Sequence, residues 1–198
     1  MTDPIAPKAY HHGNLRAELL DTAIEQLQNS GADDLSLRAL ARAVGVSQTA
    51  PYRHFADKSE LLAAMAARGY RDLLAALRAA GDQSPDCPTG QLVGFAHAYV
   101  DYAGRSPQLF KLMFGPAVQP AQRYPELRDA SRETFVLVQT ILHRGMELGQ
   151  FREQNHVAMS NAVWSGMHGL ATQRVGSCGR FERHTYLGRR GRQAVTNM

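Results

Sequence analysis

Between Gly45 and Phe55 the chain reads Gly-Val-Ser-Gln-Thr-Ala-Pro-Tyr-Arg-His-Phe, too polar for a core segment and dense in hydrogen-bonding groups. Gln48, Thr49, Tyr52, Arg53 and His54 supply an amide, a hydroxyl, a phenol, a guanidinium and an imidazole. Such groups suit recognition of another polar molecule. Catalysis would need a convergent nucleophile, base or metal-ligand set. The sequence has no Gly-x-Ser-x-Gly, no paired-His metal spacing and no phosphate-cradling glycine loop. The His11-His12-Gly13 triplet lacks a suitably spaced acid or second ligand cluster and is assigned to an N-terminal arm. No enzyme activity, metal or cofactor is expected.

Pro51 constrains the element that carries these side chains. Proline deletes one helical hydrogen bond and collides with the carbonyl a turn back, so it is tolerated mainly in a first turn. With Ser47 as N-cap, the predicted element is a short helix from Gln48 to Phe55 with Pro51 at the edge of its first turn. Upstream, Ser36 caps a second short helix in which Leu37, Leu40, Ala41 and Val44 recur at i, i+3, i+4 and i+7. Gly45 is the expected left-handed C-cap, and Val46 fills the angle between the two helices. A further helix from Asn14 to about Ser30 carries Leu15, Leu19, Ala23 and Leu27 on one stripe. The pair reads as a helix-turn-helix, whose first helix braces the DNA backbone and whose second offers its N-terminal side chains to base edges.

The run from Leu35 to Leu62, and within it Tyr52-x-His54-Phe55-x-x-Lys58-x-x-Leu61, resembles the tetracycline-repressor (TetR) family of one-component transcriptional regulators. The resemblance implies that Gln48, Thr49, Ala50, Tyr52, Arg53 and His54 face DNA. On that surface Gln48 suits bidentate reading of adenine, and Arg53 suits guanine or a phosphate. The methyls of Thr49 and Ala50 suit contact with thymine, while Tyr52 and His54 suit phosphates. Lys58 falls in the first turn of the next helix, which Asp57 caps with Glu60 three residues on, an arrangement that directs backbone N–H groups at a phosphate. Arg38 is a candidate phosphate or base contact; Phe55 and Leu61 read as core.

The rest of the chain is helical by pattern. A connector helix is predicted from Asp57 to about Ala80, a loop from Gly81 to Gly90, and helices over Gln91–Gly104, Gln108–Phe114, Pro125–Leu148 and Asn155–Val175. The last bears two adjacent apolar rows, one through Met159, Val163, Met167 and Leu170, the other through Trp164, His168, Ala171 and Val175. So wide an arc must be covered on two sides. Gly166 and Gly169 each cost about 1 kcal/mol relative to Ala in a helix, which close approach of another helix would offset.

The run Trp164-Ser-Gly-Met-His-Gly-Leu-Ala171, with Ser106 to Gly115 before it, resembles a TetR ligand-domain subgroup marked by Trp-x-x-x-His-Gly. The resemblance implies a dimeric, ligand-released repressor on a near-palindromic operator. Its partners would be double-stranded DNA and a small apolar effector. Candidate pocket residues are Phe95, Tyr99, Phe110, Met113, Phe135, Trp164, Met167 and His168. For Trp164 and His168 a packed indole and a hydrogen-bonded core imidazole are an equally good reading.

The 198 residues, 44% apolar, allow one large or two small domains. The expected architecture is all-α: an arm and DNA-binding domain over residues 1–60, a helical-bundle ligand and dimerisation domain over 61–175, and a basic, poorly ordered tail over 176–198. The apolar runs are too short for a membrane helix, the N-terminus has no signal-peptide core, and Cys87 and Cys178 form no metal or disulfide framework, so a cytoplasmic location is expected. The net charge of +4 does not mark a DNA-binding surface. From Arg174 onward six arginines face one glutamate, a net +5, which leaves residues 1–173 at −1. Local placement of Arg38, Arg42, Arg53 and Lys58 carries that argument instead. A nonspecific nucleoid-type binder would account for the tail but leave the second helical domain without a purpose.

Overall fold

The computed structural model describes residues 14–177, in which every regular element is helical. His11 to Gly13, Cys178 and the basic tail beyond it lie outside the described residues. The order is α1 (Leu15–Ser30), α2 (Leu37–Val44), a 3-10 turn (Ala50–Arg53), α3 (Lys58–Gly81), α4 (Pro88–Arg105), α5 (Pro107–Phe114), two 3-10 turns (Pro116–Val118 and Ala121–Arg123), α6 (Pro125–Glu147) and α7 (His156–Ser177). The all-α expectation holds, with α1, α2 and the first 3-10 turn at one end and a bundle of α3 to α7 making up the rest. Among the described residues no helix is long and apolar enough to cross a membrane.

Local chemistry sets most boundaries. Ser36 Oγ accepts from Ala39 N at 3.1 Å and starts α2; Gly45, at φ 81° and ψ 29°, ends it. Asp57 Oδ1 accepts from Glu60 N at 2.9 Å, while Glu60 Oε2 reaches back to Ala56 N at 2.6 Å, so the predicted capping arrangement opens α3. Helices α4, α5 and α6 all begin at a proline, where the missing N–H costs nothing. At α4 this moves the start ahead of the predicted Gln91, with Cys87 Sγ accepting from Gly90 N at 3.3 Å. Asn155 Oδ1 accepts from Val157 N and Ala158 N at 3.0 and 3.1 Å and opens α7.

One element differs from its prediction. Instead of an α-helix over Gln48–Phe55, the chain makes a turn at Gln48–Thr49 and a 3-10 helix of four residues, Ala50–Arg53. Pro51 explains the change. In an α-helix its N–H would bond the Ser47 carbonyl; lacking it, the chain bonds that carbonyl to Ala50 N at 3.0 Å, an i to i+3 contact. Tyr52 N to Thr49 O (3.2 Å) and His54 N to Pro51 O (2.9 Å) continue the tighter winding.

Helix α3 is the spine of the core. It buries Leu61, Leu62, Met65, Leu73, Leu74 and Leu77, and packs on α4, α5 and α6 as well as α1. The expected domain boundary near residue 60 therefore falls inside the first turn of one continuous helix.

Candidate functional site

The helix-turn-helix presents a compact polar surface. Pro51 and Phe55 are buried and anchor the 3-10 turn, while Gln48, Thr49, Tyr52 and Arg53 are exposed. Ala50 and His54 are half-buried, and Arg38 is exposed on α2. The Thr49 and Ser47 hydroxyls pair at 3.3 Å. Arg16 of α1 lies over the Phe55 ring, 5.3 Å from its centroid, and holds this unit from behind. Lys58 Nζ donates to the Asp33 carbonyl at 2.9 Å, tying the start of α3 to the α1–α2 loop.

A second feature lies in the bundle: a cleft of about 540 Å³ enclosed by α3, α4, α5, α6 and α7. Of the predicted ligand residues, Tyr99, Phe135, Trp164 and His168 line it. Phe95, Phe110, Met113 and Met167 do not; they are core side chains, none more than 4% exposed, because their helix faces point at α3 and its neighbours. Phe110 instead borders a smaller hollow of about 230 Å³ that shares Phe114 and His168 with the cleft. Sequence reasoning missed Tyr70, Phe114 and four polar liners: Ser131, Arg132, Thr134 and Ser165. Phe114 could have been found from the aromatic spacing of α5. Thr134 falls on the apolar stripe of α6 and reads as core, while Ser131, Arg132 and Ser165 carry no apolar periodicity and left no such signal.

The cleft walls are aromatic and mutually braced. Trp164 packs edge-on to Tyr99 (centroids 5.4 Å apart) and nearly parallel to Phe135 (6.0 Å, 17°). Phe114 sits 4.5 Å from the His168 ring. Tyr99 Oη and His168 Nδ1 are 3.0 Å apart. Burial pushes the Tyr99 phenol well above its ordinary range and lowers the His168 imidazole below its own, so both are neutral at physiological pH. The Trp164 indole Nε1 is buried without a hydrogen-bond partner among the described residues.

Side-chain contacts join the two ends of the molecule. Glu126, at the start of α6, pairs with Arg16 of α1 at 2.8 Å and with Arg71 of α3 at 3.3 Å. Gln28 Oε1 of α1 accepts from Gln108 N of α5 at 3.4 Å. On the outer side of α7, a Cβ added at Gly166 or Gly169 would meet nothing within 4 Å, and Val157 and Leu170 are 46% and 58% exposed. Among the described residues no helix covers those glycines.

Comparison with known proteins bears on both features. Residues 19–65 match a model described as bacterial regulatory proteins, tetR family, and residues 92–186 match one described as tetracyclin repressor-like, C-terminal domain. An HTH-type transcriptional regulator of Mycobacterium bovis is 32% identical over 124 residues, 62% of this chain and 53% of that protein. The chain thus spans about half the length of the curated mycobacterial regulators it matches. A solved structure from Rhodococcus sp. RHA1, of unknown function, superposes with a TM-score of 0.77 at 33% identity, covering 86% of this chain and 87% of the other. The TetR family transcriptional regulator PfmR of Thermus thermophilus superposes with a TM-score of 0.59 at 27% identity, covering 78% and 84%. With both halves matched, and with a helix-turn-helix at one end and an aromatic cleft at the other, the chain belongs to the TetR family of bacterial regulatory proteins.

Proposed function

We propose that this chain is a sequence-specific DNA-binding repressor that grips a near-palindromic operator as a homodimer and releases it when a small molecule fills the aromatic cleft. The observation that carries the reading is the continuity of α3, which runs from Lys58 beside the polar turn to Tyr70 in the cleft wall without a break. Twelve residues of helix span about 18 Å. Displacement of Tyr70 therefore shifts the base of the turn that Gln48, Thr49, Ala50, Tyr52 and Arg53 occupy. A ligand acts through that helix only insofar as it binds the DNA-incompetent arrangement better than the competent one.

In this reading residues 1–60 hold DNA and 61–175 bind effector and partner. Arg38, His54 and Lys58 hold phosphates, and the tail from 176 adds basic charge. A second copy covers Val157, Gly166, Gly169 and Leu170, since bare glycines in a helix permit close packing of another helix. Its place of work is the cytoplasm, with the DNA. The test is selection of bound fragments from a random DNA pool, followed by light scattering of the chain with the winning fragment. Enrichment of a near-palindrome bound by two copies is expected; a pool that yields no preferred sequence, or a single half-site bound by one copy, overturns the reading.

A further inference from the structure

Glu126 spends its two oxygens on two different helices. Oε1 lies 2.8 Å from Arg16 Nη2 on α1, and Oε2 lies 3.3 Å from Arg71 Nη2 on α3. Arg16 has a second engagement, its guanidinium standing 5.3 Å from the centroid of the Phe55 ring. That ring is 1% exposed. The Phe55 N–H donates to the Pro51 carbonyl at 3.0 Å, and the same carbonyl accepts from His54 N at 2.9 Å. Movement of the ring is thereby tied to the hydrogen bonds that close the polar turn. A guanidinium suits both engagements at once, since its N–H edge bonds a carboxylate while its flat face lies on a ring.

Helix α1 packs on α2, α3 and α5 rather than on α6. Where α1 and the first turn of α6 approach, there is a hollow of about 280 Å³ bordered by Arg16, Glu60, Ala63, Glu126 and Leu127. The Arg16–Glu126 pair spans that approach. Other side-chain links to α1 reach different helices: Gln28 to Gln108 on α5, and Asp21 to Arg68 on α3. We propose that Arg16 is a positioning residue that sets the recognition turn according to where the first turn of α6 stands, and that salt weakens the setting because the pair is solvent-accessible. Phe135 in the cleft wall is on the same helix as Glu126, nine residues on and about 14 Å along the axis. If the cleft takes an effector, α6, Glu126, Arg16 and Phe55 form a second line to the turn beside α3. That consequence rests on the reading of the cleft; the action of Glu126 on the turn does not.

Amide hydrogen exchange of the full chain, without DNA or ligand, tests this in the peptide covering residues 47–56, with a peptide from α4 as the internal reference. In the parent, raising sodium chloride from about 0.02 M to about 1 M should speed exchange of the turn relative to α4 at least about twofold. Glu126→Gln changes a residue outside the turn, yet it should produce the same acceleration at low salt and remove the salt response. Arg71→Gln leaves the Arg16–Glu126 pair in place and should leave the turn as in the parent. A turn in Glu126→Gln that exchanges as slowly as the parent's at low salt overturns the proposal, as does equal acceleration in Arg71→Gln. The parent's salt response stands as a test even if a variant unfolds: its absence also overturns the proposal. None of these outcomes depends on whether the cleft binds anything, so the reading of the cleft stands or falls separately.

Discussion

Tyr99 and His168, on α4 and α7, are joined at 3.0 Å between phenol and Nδ1, a bond that requires a neutral imidazole if the buried phenol is to donate. Burial lowers the His168 pKa below its unfolded value. The unfolded chain therefore binds a proton that the folded chain resists. The resulting stability is present above the ordinary imidazole pKa of about 6.5 and is lost as pH falls from there toward the lower folded value. Melting temperatures of the parent chain and of His168→Gln, measured from pH 7.5 down to 5, should diverge in slope: the parent falls more steeply below about pH 6.5. Parallel curves would show that His168 does not carry this dependence.

Gln48 and Arg53 are exposed on the recognition turn and are the proposed base readers. Replacing either by Ala should cost about 1–3 kcal/mol of operator binding and relax preference at particular base pairs. Lys58→Ala should weaken binding to all sequences alike. Comparison of selected-sequence profiles for the three variants decides; identical profiles would dissolve the division between readers and phosphate holders.

Pro51 is buried and lacks the N–H that an α-helix would send to the Ser47 carbonyl. Pro51→Ala restores that donor and removes part of a packed ring. The chain should stay folded, with a stability loss of about 1 kcal/mol from the lost packing. Chemical denaturation measures it, and complete unfolding would show that the ring is indispensable to the turn.

Glu126 holds Arg16 and Arg71 across the junction between the helix-turn-helix and the bundle, and all three side chains are 40–48% exposed. Pairs so exposed contribute at most about 1 kcal/mol each, so Glu126→Gln should barely change the melting temperature. The ratio of operator affinities with and without a cleft ligand should nevertheless shrink, since one of the links between α6 and α1 is gone. An unchanged ratio would assign the coupling to α3, with its Arg68–Asp21 pair to α1, and to the Gln28–Gln108 contact.

Leu170→Glu places a charge on the uncovered face of α7 without touching the core. Light scattering should report a monomer with unaltered helix content. A persisting dimer would move the partner interface elsewhere.

The legible parts of this molecule are those specified over a few residues. Ser36 and Gly45 mark the ends of α2 because capping is a contact of three or four positions, and the same holds for Asp57 and Glu60 at α3. The recognition element departs from its local pattern: Ser47 has the character of an N-cap, but the proline four residues on diverts its carbonyl into a tighter turn. The cleft is half legible. Aromaticity and helical spacing point to Tyr99, Phe135, Trp164 and His168, yet Phe95 and Met113 share an apolar helical face and differ only in facing α3 rather than the cavity. Ser131 and Arg132 lie on α6 beside an apolar stripe, and only the crossing of α6 with α7 turns them into cleft residues. That crossing is set by tertiary packing, which no short window contains.

Trp164 is the chain's single tryptophan, and it stands in the cleft wall between Tyr99 and Phe135. The molecule therefore carries its own optical probe at the one position where a ligand would be felt. Indole emission excited beyond the tyrosine band comes from this residue alone. A compound that enters the cleft and packs against the indole ring should change the colour or intensity of that emission. Occupancy of the cleft can thus be followed in the unlabelled protein, on operator DNA and off it, with no dye attached and no residue altered.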